Sequence, residues 1–251
     1  DVSLVGSEMC IRDRYNIDKI PNPVLRATHR QSKKRLLAYA NSQLSKALDI
    51  NTLTIGFARR AATYKRAQLI FKDVDRLIDI GKGKIQIIFS GKAHPKDEGG
   101  KSLIKNIVKS SKYFTGHIKI IYLENYNMWL GRLITSGVDV WLNTPLRPNE
   151  ASGTSGMKAS LNGVPNLSVL DGWWSEGCID GVNGWAVGNP NEISDEADAD
   201  HLYNLIENNV IPSYYGDKDD WSTMMKESIK TGISYTSHRM VTDYSNQYYK
   251  L

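Results

Sequence analysis

A doubly wound α/β fold, with a parallel sheet covered on both faces, is the architecture this sequence predicts. Three observations carry it. From residue 51 onward strand-like and helix-like stretches alternate, the order that parallel strands with crossover helices require. The strand-like stretches are nearly continuous apolar runs, as expected where neither face of a sheet meets water. Polar and cationic residues gather just after those runs, and ligands of open parallel sheets bind outside the carboxyl ends of the strands.

The elements follow in order. Residues 15–50 form a lead-in, punctuated at its start by Pro21 and Pro23. Leu25, His29, Leu36, Leu37, Tyr39, Leu44 and Leu48 then recur near helical spacing, so one or two helices are expected, with the basic residues on the wet face. Residues 51–58 (NTLTIGFA) read as the first strand and residues 60–80 as a helix, with Gly81 and Gly83 after it. The second strand is expected over 84–91, a helix over 96–113 and the third strand over 117–124. A short helix over 128–137 precedes the fourth strand at 138–144. After a loop come a helix over 155–163, a fifth strand over 166–172 and a short sixth over 184–188. Residues 189–200 are polar and acidic and read as a loop. Three helical patterns, 202–211, 221–233 and 237–249, are expected to pack back over the sheet. The units are therefore a lead-in over 15–50, a sheet domain over 51–195 and C-terminal helices of the same unit over 196–251.

Residues 1–14 stand apart. They read DVSLVGSEMCIRDR, without the basic start and apolar core of a secretory signal. Residues 4–13 resemble, without a mismatch, the translation of a transposon-type sequencing adapter, CTCGTGGGCTCGGAGATGTGTATAAGAGAC. The segment is set aside from fold reasoning, and the reading frame is expected to open within a gene, giving a C-terminal part of a longer protein.

Composition narrows the function. The 251 residues suffice for one large α/β domain or two small ones, and 41% hydrophobic with 24% charged residues is an ordinary globular balance. No apolar run approaches the roughly 20 residues of a membrane helix, so no membrane role is expected. The net charge of +5 favours anionic ligands. Its bases are dispersed, however, which argues for a phosphate pocket and against nucleic acid. Cys10 and Cys178 can build neither a disulfide framework nor a zinc cluster. No metal is expected, and the default compartment is a reducing cytoplasm.

The chemistry gathers at the strand ends. After the first strand stand Arg59, Arg60, Lys65 and Arg66, cations at a helix start where the macrodipole disfavours them unless an anion is present. Lys92 and His94 follow the second strand. Glu124, Asn125 and Tyr126 follow the third, and Asp171, Trp173, Trp174 and Glu176 the fifth. The tryptophans suit either a sugar platform or packing. After the fourth strand comes EASGTSGMK, residues 150–158, flanked by Arg147. Gly153 and Gly156 allow close backbone approach, and a helix opening here turns free N–H groups and the Ser and Thr hydroxyls toward an anion. Lys158 is then a phosphate-pairing ammonium or an amine able to condense with an aldehyde. The same stretch also reads as a Ser/Gly turn capping an ordinary helix with a solvated lysine. Five successive polar or cationic loops favour a pocket for a phosphorylated ligand and a hydroxyl-rich substrate.

Taken together, GFARRAATYKRA, SGKAHP, YLENYN and NEASGTSGMKASLNG resemble, in this order, the C-terminal half of α-glucan phosphorylases, the glycogen, starch and maltodextrin phosphorylases. The wording VLDGWWSEG and DGVNGWAVGN is similar to the shorter bacterial and archaeal branch, and the likeness runs from about Ile17 to the C-terminus. It implies the Rossmann-like, cofactor- and phosphate-binding C-terminal domain of a two-domain GT-B glycosyltransferase. That enzyme class releases glucose 1-phosphate from terminal α-1,4-glucosyl residues with inorganic phosphate. The resemblance implies pyridoxal 5'-phosphate held covalently by Lys158, with its phosphate exchanging a proton with substrate phosphate. It further implies Arg60 and Lys65 on substrate phosphate, Arg59 near cofactor phosphate and Tyr126 beside the cofactor. Gly153, Thr154 and Ser155 would hold phosphates, and Glu150, Ser152 and Gly153 the glucosyl group. Asn127 stands where longer members carry arginine, and Ala61 and Ala62 replace bulkier residues. The partner expected is the N-terminal domain of the same polypeptide, which lines the other cleft wall; homo-oligomerisation stays open. Two alternatives remain: a sugar-nucleotide-dependent enzyme of the same fold, similar to glycogen synthase, and a binding half-domain without activity of its own.

Overall fold

The computed structural model describes residues 16–43, 47–189 and 192–249. The adapter-like segment, Cys10 and Leu44 lie outside the described residues. Six strands form one sheet: β1 (Leu53–Ala58), β2 (Ile85–Ser90), β3 (Lys119–Leu123), β4 (Val140–Asn143), β5 (Asn166–Val169) and β6 (Gly184–Val187). They lie in the order β3-β2-β1-β4-β5-β6, every neighbouring pair parallel. This is the Rossmann-like order. The chain winds outward from β1 in one direction, then returns to its other side as β4, and the crevice at that switch point is where such sheets bind ligands.

The helices are α1 (Asn22–Gln43), α2 (Val74–Gly81), α3 (Glu98–Ser110), α4 (Met128–Gly137), α5 (Thr154–Leu161), α6 (Trp174–Gly177), α7 (Asp195–Leu205), α8 (Ile211–Tyr215), α9 (Lys218–Ile233) and α10 (Ser237–Tyr244). Neighbouring strand residues point to opposite faces, and two cores result. Ile55, Phe57, Ile87, Phe89, Val140 and Leu142 join one core, with Leu77 of α2 and Leu202 of α7. Ala58, Ile88 and Trp141 join the other, with Leu36 of α1 and Ile134 of α4. Because both faces are covered, β1 and β2 are buried along their whole lengths, which is why they read as unbroken apolar runs.

Four expectations are corrected. The helix expected over 60–80 is broken into 3-10 turns at Thr63–Lys65 and Leu69–Phe71 before α2. Arg66 adopts a left-handed backbone, φ 44°, that ends the first turn, and Asp73 restarts the helix by accepting the Arg76 N–H. The loop expected over 189–200 is helical from Asp195. Ser194 caps the Ala197 N–H, and Asp195, Glu196 and Asp198 sit in the first turn, where the helix dipole favours carboxylates. Residues 202–211 are not one α-helix, since α7 passes into a π-helical turn at Ile206–Val210 before α8. Finally, the basic residues of the lead-in are not all wet: Lys33 is 2% exposed, bonded to Asp139, the Thr52 carbonyl and the Tyr214 hydroxyl. Among the described residues no helix is long and apolar enough to cross a membrane.

Candidate active site at the switch point

Arg59 leaves the sheet immediately after β1, beside the end of β4. Its Nη1 bonds the Asn143 Oδ1, and its Nη2 donates to Glu150 Oε2 at 2.5 Å. Lys65 Nζ donates to that same oxygen at 2.5 Å and lies 4.4 Å from the centre of the Tyr64 ring. Asn143 in turn donates to Ser168 Oγ at 3.0 Å, so one chain of polar contacts crosses β1, β4 and β5 at their carboxyl ends. Both cations and the carboxylate are buried. Burial pushes the Glu150 carboxyl up, but the Lys65 hydrogen bond and the Arg59 charge outweigh it and hold the group below its ordinary value.

The loop after β4 is fixed by the loop after β5. Asp171 accepts the Glu150 N–H at 2.9 Å through Oδ2 and the Gly172 N–H at 3.0 Å through Oδ1. The Trp173 N–H donates to the Ser152 carbonyl at 2.8 Å. A Cβ on Gly172, φ 55°, would lie 2.6 Å from that carbonyl oxygen, so only glycine lets the loops meet. Gly153, φ 89°, is the N-cap of α5 and offers no side-chain acceptor to its first turn. Trp173 and Trp174 are buried against each other and against Tyr235 and Trp185. Of the two readings for them, packing is the one the structure supports.

Below the site lies a second ionic knot. Arg66 donates to the Thr144 and Pro145 carbonyls at 3.0 Å each, to Asp198 Oδ2 at 2.6 Å and to Asp195 Oδ1 at 2.9 Å. Arg147 reaches the other Asp198 oxygen at 3.5 Å and the Asn189 carbonyl at 2.8 Å. The segment leading to Glu150 is thus tied to the first turn of α7. These tertiary bonds account for the break at Arg66 that helical periodicity could not foresee.

Of the residues singled out from sequence, the structure brings together Arg59, Lys65 and Glu150, with Ser152, Gly153, Thr154 and Ser155 on the same loop and helix start. Arg60 and Lys158 are exposed, and among the described residues neither side chain has a hydrogen bond or ion pair. Lys65 therefore shares its carboxylate with Arg59, not with Arg60. Tyr126 is half-buried near Arg59; burial pushes its phenol up, and the Arg59 charge opposes this. Its hydroxyl lies 2.8 Å from where a Cβ on Gly131 would stand. Glu124, Asn125, Lys92, His94 and Glu176 are exposed. Asn127 caps α4, accepting the Leu130 N–H at 2.9 Å. Asn143 and Ser168 carry no signal in the sequence because they lie inside their strands, not in the loops that follow them.

Of the eight buried side-chain polar atoms that lack partners among the described residues, Arg59 Nε and Ser155 Oγ belong to this group of residues. A donor and a hydroxyl left over at this place match the acceptor oxygens of a phosphate. With the uncapped start of α5, they make a donor set that fits a phosphate-bearing ligand. No cluster of His, Cys, Asp and Glu suited to a metal occurs among the described residues.

Comparison with known proteins agrees with this chemistry. A family model described as carbohydrate phosphorylase matches residues 13–176. Maltodextrin phosphorylase of Thermococcus litoralis is 46% identical over 256 aligned residues, which cover 94% of this chain and 31% of that protein. Glycogen phosphorylase of Aquifex aeolicus is 49% identical over 214, covering 80% and 31%. Glycogen phosphorylase of Mycobacterium tuberculosis is 43% identical over 220, covering 82% and 25%. The chain spans about a third or less of the length of these relatives. By family match and by identity along most of its length, it belongs to the carbohydrate phosphorylases.

Proposed function

We propose that this chain is the phosphate-binding part of an α-glucan phosphorylase. The parent enzyme releases glucose 1-phosphate from terminal α-1,4-glucosyl residues using inorganic phosphate. The observation that carries this reading is the convergence of buried Arg59 and Lys65 on Glu150 beside the uncapped, glycine-started helix that bears Lys158. The relatives' names, maltodextrin and glycogen phosphorylase, supply the substrate class.

Pyridoxal 5'-phosphate on Lys158 fits the unpaired donors at Arg59 Nε and Ser155 Oγ. When bound, that group supplies a phosphate able to exchange a proton with the substrate phosphate. The chain's own residues do the rest. Arg59 would help hold the cofactor phosphate, and Arg60 and Lys65 would hold the substrate phosphate. Two phosphates in contact repel unless cations and oriented N–H dipoles neutralise them. Gly153, Thr154 and Ser155 provide such donors at the start of α5. Glu150 and Ser152 accept and donate to glucosyl hydroxyls, and Tyr126 borders the cofactor. Residues 51–195 form the cofactor- and phosphate-binding domain, carried by the helices of 196–251, in a GT-B pair. The part of the longer relatives outside this match lines the opposite wall, and the isolated chain is not expected to turn over glucan.

The test is spectroscopic and chemical. A full-length relative carrying this chain, loaded with pyridoxal 5'-phosphate, should absorb in the near ultraviolet from the lysine-bound group and release glucose 1-phosphate from glucan and phosphate. Lys158→Ala should abolish both. Glucan synthesis from a sugar nucleotide without that absorbance would overturn the reading.

A further inference from the structure

The two cations of the site have an anion already. Glu150 Oε2 alone receives both Arg59 Nη2 and Lys65 Nζ, each at 2.5 Å. Arg59 otherwise meets the neutral amide of Asn143, and Lys65 the face of Tyr64. Glu150 is thus the one carboxylate paired with this pair of cations among the described residues. Its backbone, by contrast, is fixed independently, by the bond from its N–H to Asp171. The side chain can change partners while the loop stays in place.

Two charge-assisted bonds on one carboxylate oxygen hold the Glu150 side chain against the cation pair. A phosphate brings more acceptor oxygens than a carboxylate and up to twice its charge, so it can satisfy Arg59 and Lys65 together with the unpaired Arg59 Nε. We propose that Glu150 is an internal substitute for phosphate: it neutralises the cation pair until a phosphate group takes its place, and the released side chain then turns toward a sugar hydroxyl. Phosphate binding and sugar binding are then coupled, and by linkage the coupling is reciprocal. The sugar half of this statement rests on the proposed function; the exchange of carboxylate for phosphate does not.

The phosphate can be free or carried as a monoester, and the experiment separates the two. Inorganic phosphate, pyridoxal 5'-phosphate and pyridoxal are titrated calorimetrically into the 251-residue chain and its Glu150→Gln variant. The variant, which leaves both cations without a carboxylate, should bind inorganic phosphate or the ester about tenfold more tightly than the wild type, the scale of ordinary site coupling. Pyridoxal, lacking the phosphate, should bind both proteins alike. Equal or weaker phosphate binding by the variant overturns the proposal. Should the variant not fold, wild-type protein carrying 13C at its glutamate carboxyls decides: one glutamate resonance must shift on adding phosphate, and an unresponsive set overturns the proposal. A nucleoside diphosphate sugar that shifts the same resonance as phosphate does, and binds more tightly than phosphate or its monoester, would sustain the exchange and overturn the phosphorolytic reading instead.

Discussion

Lys33 and Asp139 form a closed ion pair, 2.5 Å from Nζ to Oδ2, at the amino ends of β1 and β4, the end of the sheet remote from the switch-point site. The same carboxylate accepts the Thr54 N–H at 2.7 Å and meets His29 Nε2 at 3.1 Å. Both partners of the pair are 2% exposed, so neither charge can fall back on water.

Removing one partner should therefore cost far more than removing both. Lys33→Met is expected to destabilise the domain by about 3–5 kcal/mol, because it strands a buried carboxylate. The double change Lys33→Met with Asp139→Leu should cost clearly less than Lys33→Met alone. Urea denaturation of the three proteins measures this, and equal losses would show that the pair does not act as a unit.

The same pair sets an acid limit. Burial pushes the Asp139 carboxyl up, but Lys33 and His29 outweigh burial and hold it below its ordinary value. A carboxylate depressed in this way contributes stability above its unfolded value, near ~4, and loses it as pH falls toward the folded value. Stability plotted between about pH 5 and 2 should fall less steeply in Asp139→Asn than in the wild type.

Asp198 should control the loop that carries Glu150. It is fully buried and is bonded by Arg66 and Arg147 together. Asp198→Ala leaves Arg147 without its carboxylate and Arg66 with Asp195 alone, at a cost of roughly 3 kcal/mol. Amide hydrogen exchange over residues 145–150 should accelerate beyond what the global loss of stability explains.

Gly172→Ala tests the meeting of the two loops. Its φ of 55° and a Cβ only 2.6 Å from the Ser152 carbonyl oxygen combine strain with a backbone clash. The expected loss is about 1–3 kcal/mol, with weakened phosphate binding because the Asp171 bond to Glu150 is displaced. Stability and phosphate affinity unchanged by the methyl group would contradict the geometry.

Cys178 should be a poor nucleophile. Burial, with a smaller contribution from Asp180, pushes its thiol up to about 12. Alkylation at pH 8, resolved by peptide mapping so that Cys10 is scored separately, should leave Cys178 largely unmodified in the folded protein. Rapid labelling would show a thiolate that the surroundings do not support.

Strand positions were legible because burial on both faces writes an unbroken apolar run, as in IQIIFS of β2. Asp73 and Asn127 are cap residues by type, yet the apolar periodicity running through 60–80 masked the first of them. The break at Arg66 was not legible, because it depends on Thr144, Pro145 and Asp198, partners far along the chain. The burial of Lys33 was hidden for the same reason, since only the fold supplies Asp139 and Tyr214. At the site, residue types located Arg59, Lys65 and Glu150 at their strand ends. That Arg59, and not Arg60, shares the carboxylate with Lys65 is a matter of backbone direction after β1, which pattern does not encode.

Glu150 stands 91 residues from Arg59 and 85 from Lys65 along the chain. Contacts that distant cannot form until β1 and β4 lie side by side, after the entropy of closing a long loop has been met. The site is therefore a certificate of finished folding. Any anion that recognises it selects states in which β1 and β4 are already paired and stabilises them by mass action, so a ligand at the switch point clasps the two halves of the winding together.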